Sequence, residues 1–287
     1  AEAELISLGV AHLPDVKRDN TDRNRTSPFA FTGNKWEFRA CGGSHAISFP
    51  ISLLNAAAAE AVRDMHAEIR ELMDGGSSVD DAVMTVLQKV AAETVPVRFE
   101  GNNYSDEWVV EAESRGLPNL RKTPDALAHL HVADNHRFLV DTGVFSNDEI
   151  LARLHVRVER YIMDVGIEYN TLLQILDTAV VPAVSRYHGE LAQAVASAKA
   201  AGLDAPQTAR AKTVGVALAD LLAKRDEMVA VNASVAEVTD DMERARRVAY
   251  DLMPAMEAVR GVADALEELS DDAGWPLPRY SEMLFVR

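Results

Sequence analysis

A single cysteine, Cys41, among 287 residues excludes an internal disulfide. Such a chain must hold its fold by burial and hydrogen bonding, and its thiol usage suits a reducing compartment. A cytoplasmic location is therefore expected. No run approaches the roughly 18 uninterrupted apolar residues of a membrane span. The opening AEAELISLG lacks the basic start and cleavage pattern of a signal peptide, so no membrane partner is expected. Positive charge is scarce: 29 Lys+Arg face 45 Asp+Glu, a net charge of -16. That field repels polyanions at long range, so nucleic acid is not an expected partner. Also missing are the G-x-x-x-x-G-K-[ST] loop, the G-x-G-x-x-G turn and the G-x-S-x-G elbow. His129, His131 and His136 lie close together, but no Cys and no Glu-x-x-His spacing accompanies them. They read as surface or capping histidines rather than a metal cluster.

What is present is a helical sequence with an irregular start. Apolar residues make up 48% of the chain, enough for a substantial core in one large domain or two small ones. Up to Phe49 the sequence is rich in Asn, Asp, Thr, Gly and Pro. There SPFAFT and KWEFRA flank Gly33-Asn34, a two-residue turn of the kind that closes a β-hairpin. After Pro50 the period changes to that of helices. An Ala-rich helix is expected to stop at Gly75-Gly76, Ser78 to cap a second, Ser105 to start a short third, and Thr123-Pro124 to start another. Ser146 opens a long helix whose apolar residues, Ile150, Leu154, Val158, Tyr161, Val165, Leu172, Leu176 and Ala179, recur at helical steps. Pro182 should kink or end it. Asp164 and Glu168 on this helix read as a solvated edge. A last helix carries Val238, Met242, Ala245, Ala249, Leu252, Met256, Val259, Ala263 and Leu266 at alternating steps of four and three, with Pro254 as an expected kink. This seam is expected to be buried within the subunit, and the aromatic tail WPLPRYSEMLF to reach a neighbour. The fold class is thus mainly α, a helical bundle with a short N-terminal β-hairpin.

One stretch departs from the acidic background. From Lys17 to Arg39 six basic residues face three acids, Asp19, Asp22 and Glu37. On the strand KWEFR the period of two sends Trp36 and Phe38 to one face and Lys35, Glu37 and Arg39 to the other, and Arg25 can cross the hairpin toward them. A guanidinium forks onto phosphate or carboxylate, and a carboxylate can bind the divalent cation that neutralises phosphate. The pattern suits phosphoryl transfer to an acidic substrate. Equally, spacing alone allows an exposed salt-bridge ladder on a non-catalytic helical assembly or regulatory module.

The segment TDRNRTSPFAFTGNKWEFR resembles the signature of type III glutamine synthetase. The likeness continues through GNNYSDEWVVEAESRGLPNLRKTPDAL, GVFSNDEILARLHVRVERY and WPLPRYSEMLF. Trp36 stands where that family commonly has Phe, and His45 where it has Gln. The resemblance implies a ligase of nitrogen metabolism that joins ammonia to glutamate through γ-glutamyl phosphate, using ATP and Mg²⁺ or Mn²⁺, in a homo-oligomeric ring. It implies that Arg25 contacts the transferring phosphate, Lys35 the nucleotide, Glu37 a metal ion and Arg39 the glutamate substrate. The run SPFAF lacks a further arginine found in the shorter forms of the enzyme. The resemblance also implies that residues 1–75 end the catalytic domain, which is α+β in the full enzyme, and that 76–287 form a helical C-terminal extension. Because the first residue is Ala and the first Met is Met65, the chain is expected to begin inside a longer polypeptide; the resemblance implies that the remaining metal ligands lie upstream, so that this C-terminal fragment alone is expected to be inactive.

Overall fold

A computed structural model of the chain describes residues 46–98, 105–278 and 280–284, together with the backbone of four short strands. Strands β1 (Leu5–Ile6) and β2 (Val16–Lys17) pair antiparallel, as do β3 (Phe29–Phe31) and β4 (Trp36–Phe38). The register of the second pair sets Phe29 opposite Phe38, Ala30 opposite Glu37 and Phe31 opposite Trp36. The turn at Gly33-Asn34 and the strand side chains lie outside the described residues. Everything else that is described is mainly helical, and none of these helices is long and apolar enough to cross a membrane. The chain forms two compact units, residues 1–119 with 137–146, and residues 120–136 with 147–287.

In the first unit α1 (Ser48–Asp74) and α2 (Val79–Glu93) form a helical hairpin. Pro50 falls in the first turn of α1, where an amide donor has no intrahelical partner to lose. The end of α1 is set by Gly76 at φ 99°, which lets Ser77 N–H reach back to Leu72 O at 3.0 Å. Ser78 then caps α2 by accepting the Asp81 N–H at 3.2 Å, and Lys89 bridges to Glu68 at 2.8 Å. Small residues, Ala56 on α1 and Ala82 on α2, are buried together with Val86. Helix α3 (Asp106–Ser114), capped by Ser105, ends at Arg115. That arginine donates to Arg98 O at 2.9 Å and Pro96 O at 3.3 Å, pairs with Glu111, and lies over the Trp108 ring at 5.4 Å.

The second unit is built on α6 (Asn147–Ile175) and α7 (Val181–Ala200), α8 (Thr208–Ala236), and α9 (Asp241–Arg247) with α10 (Met253–Leu269). Its small companion α4 (Thr123–His131) packs on α6 and α9, while α5 (Ala133–Asp141) crosses from this unit to the other. Along α8 every seventh residue is buried, Val214, Leu221, Met228 and Val235. Facing them Ala245, Leu252, Val259 and Leu266 repeat at the same interval, and Val165, Tyr169, Leu176, Val180, Val184 and Leu191 of the long helix complete the core. A repeat of seven on a helix of 3.6 residues per turn is the mark of left-handed bundle packing. At one end Arg210 ties α8 to both neighbours, donating to Tyr187 Oη at 2.9 Å and Leu269 O at 2.5 Å.

Neither proline ends its helix. Pro182 and Pro254 each follow one wide turn, Leu176–Val180 and Val248–Leu252, in which Val181 N–H bonds Leu176 O and Met253 N–H bonds Val248 O, five residues back. A proline has no donor and its ring crowds the carbonyl four residues earlier; the wider turn removes both conflicts. α6, this turn and α7 therefore run unbroken from Asn147 to Ala200, a rod of about 80 Å at 1.5 Å per residue. Asp177 in the first wide turn receives both arms of Arg225 at 3.0 and 2.7 Å, which holds that guanidinium firmly charged. In the second, Asp251 pairs with Arg247, and the neighbouring Tyr250 donates to Asp125 of α4.

Two expectations are corrected. Val238 lies in the α8–α9 connection, because Asp240 accepts the Glu243 N–H at 2.8 Å and starts the helix later. The rest of that seam is buried or half-buried as expected. The tail begins inside its own subunit, since Trp275 is 9% exposed within the core and Leu277 packs against it. Beyond it the described side chains of α11 (Tyr280–Leu284) are exposed.

Truncating Leu221 to alanine is expected to cost about 2–5 kcal/mol by chemical denaturation, since no space around it can collapse without moving two other helices. A methyl group at Gly215 would come within 2.8 Å of His188 Nε2 on α7. Gly215→Ala alone should therefore lower the melting temperature. In a His188→Ala background the same change should stabilise by about 1 kcal/mol, the helix-propensity gain of Ala over Gly. Equal shifts in both backgrounds would show that His188 does not set this spacing.

Candidate functional site

Of the four residues singled out in the sequence, Arg25, Lys35 and Arg39 lie outside the described residues. Glu37 is placed by its backbone alone, in β4 opposite Ala30.

The described residues settle the histidines. His136 is 4% exposed, and its Nδ1 donates to Leu130 O at 2.8 Å, while Asn135 Nδ2 donates to His129 O at 2.7 Å. Together they satisfy carbonyls at the C-terminal end of α4. His129 and His131 are exposed. Capping and surface roles account for all three. Asp164 pairs with Arg160 at 3.4 Å on the open side of α6, and Glu168 is exposed, in keeping with a solvated edge.

Three further groupings in the second unit carry chemistry. Between α8 and the α9–α10 arm lies an open cleft of about 440 Å³, bordered by Lys224, Glu227, Val231 and Pro254 and by the Arg247–Asp251 pair. Its charges balance, so it offers no strong field to an ionic ligand. On α6, Arg153, Arg157 and Arg160 follow one another at helical steps. Burial pushes the Arg157 guanidinium below its ordinary range, and repulsion from Arg153 and Arg160 adds to the effect. Near the start of α9, His155 Nε2 stands 3.3 Å from Glu159 Oε1 and 3.9 Å from Asp241 Oδ2. One ligand atom from each of these three lies within 4.8 Å of the other two. Sequence reading missed this last cluster. His155 and Glu159 sit at i, i+4 on one helix, but Asp241 belongs to another helix and only packing brings it near.

Comparison with known proteins gives the lineage. Residues 82–199 match the glutamine synthetase C-terminal domain family. The chain is 33% identical over 300 aligned residues to a glutamine synthetase of Bacteroides fragilis, covering 100% of this chain and 40% of that protein. To a type-3 glutamine synthetase of Dictyostelium discoideum it is 34% identical, over 98% of this chain and 39% of the relative. To a glutamine synthetase of Butyrivibrio fibrisolvens it is 29% identical, over 93% of this chain and 38% of the relative. The chain thus spans about 40% of the length of the curated relatives it matches. Residues 82–199 thus belong to the glutamine synthetase C-terminal domain family, and nearly the whole chain is similar to glutamine synthetases, a type 3 member among them.

Proposed function

We propose that this chain serves a glutamine synthetase, a cytoplasmic homo-oligomeric ligase that joins ammonia to glutamate at the expense of ATP. One observation carries the reading: the alignment with the Bacteroides fragilis enzyme covers 100% of the chain, so the basic stretch from Arg25 to Arg39 falls inside it. Residues 1–75 are assigned to the end of the catalytic domain, with β3 and β4 as the two arms of its hairpin, and 76–287 to a helical extension.

The donor set fits the chemistry in kind. Two guanidinium groups and an ammonium group match phosphate oxygens and a substrate carboxylate, and the alternation of the sequence KWEFR puts Glu37 and Arg39 on one side of a strand. In this reading Arg25 contacts the transferring phosphate, Lys35 the nucleotide and Arg39 the glutamate carboxylate. Glu37 supplies one oxygen ligand to Mg²⁺ or Mn²⁺; such an ion, when bound, offsets the charge of the phosphates. Arg39 binds and orients, and Arg25 meets charge where it builds.

A divalent ion needs more oxygens than one carboxylate provides. Expressed by themselves, these 287 residues are therefore expected to make no glutamine, and clear γ-glutamyl transfer by them would contradict the proposed donor set. In the full-length protein, Arg39→Lys keeps the charge but loses the fork. Activity should fall roughly 10- to 150-fold, the equivalent of about 1.5–3 kcal/mol for a charged hydrogen bond, with the melting temperature unchanged. Glu37→Gln keeps shape but removes the metal-binding charge, so raising Mg²⁺ or Mn²⁺ should recover part of its loss. If the stretch is only a solvated ladder, each change removes about 0–1 kcal/mol of surface pairing and turnover stays near normal in both variants.

A further inference from the structure

We propose that His155, Glu159 and Asp241 form a divalent transition-metal site, of the class that takes Zn²⁺, which ties the start of α9 to α6. The proposal is independent of the ligase reading and of Glu37.

Three features support it. First, the two donor separations from His155 are near those of a filled site, and the two carboxylates lie within 4.8 Å of each other. Two donors bound to Zn²⁺ at about 2.0–2.2 Å and a tetrahedral angle stand about 3.3–3.5 Å apart. The His155–Glu159 separation of 3.3 Å already meets this, and the His155–Asp241 separation of 3.9 Å needs only a few tenths of an ångström. The side chains are 63%, 58% and 39% exposed, so each has room to make that adjustment and the open positions can be filled by water.

Second, the donor types select the ion. One imidazole nitrogen with two carboxylates is a mixed set suited to Zn²⁺ and its transition-metal neighbours; Ca²⁺ and Mg²⁺ prefer oxygen alone. Third, charge and capping agree. Asp240 is already engaged with the Glu243 N–H at 2.8 Å, which leaves the Asp241 carboxylate to face His155. A protonated imidazole could balance only one of the two carboxylates beside it, whereas a dication balances both. The site lies where the short α8–α9 connection returns the chain onto α6, so an ion there would cross-link a joint otherwise held by packing.

The test uses tag-free full-length protein with Zn²⁺ alone, and Co²⁺ as a visible-absorbing substitute. Zn²⁺ should raise the melting temperature, and Co²⁺ should give an absorption band that Zn²⁺ abolishes. His155→Ala should weaken Zn²⁺ binding more than about 100-fold, beyond what loss of a supporting contact does. Glu159→Gln, at an exposed helical position that should fold normally, should weaken it as well. No Zn²⁺ shift in the wild-type protein, or equal shifts in the wild type, His155→Ala and Glu159→Gln, would overturn the proposal.

Discussion

The helical unit depends on one seam, the meeting of Val214, Leu221, Met228 and Val235 on α8 with Leu252, Val259 and Leu266 opposite. These side chains are at most 2% exposed, and burying each stabilises by roughly 1.5–3 kcal/mol relative to leaving it in water. The seam dictates which face of α8 turns inward, and through Arg210 and Arg225 it fixes the height of the long helix beside it. Trp275 closes the same core from the tail.

Two wide turns let that seam coexist with proline. Each adds a residue to the turn and so rotates everything downstream, which is how the long helix keeps an inward face on both sides of Pro182. The aspartates in these turns do not waste their position: Asp177 anchors α8, and Asp251 holds Arg247 beside the cleft. Local distortion, ion pairing and packing thus occur at the same two places.

The two functional centres are of different kinds. The basic stretch around KWEFR is contiguous, and its proposed work is recognition of phosphate and carboxylate by charge and hydrogen-bond geometry. The His155 cluster joins two helices, and its proposed work is mechanical. The likeness to glutamine synthetases bears on the first and leaves the second open, since a structural ion at a helix joint can be gained or lost without touching chemistry elsewhere.

By itself the sequence determined the helical class, the caps at Ser78 and Ser105, the helix start at Thr123-Pro124, the stop at Gly76 and most of the inward faces, because each rests on contacts within about a turn of the residue concerned. It also carried the family likeness and the charged stretch from Arg25 to Arg39. Only the tertiary structure decided the rest. Proline rules are local: they allowed Pro182 to kink or end its helix and Pro254 to kink its own, and in the structure each proline follows a wide turn through which the helix runs on. The late start of α9 turned on the cap at Asp240, and the inward course of Trp275 on a core surface that no window of sequence displays. Asp241 meets His155 for the same reason: residues 86 positions apart become neighbours only when two helices choose their faces, and that choice belongs to the hydrophobic seam.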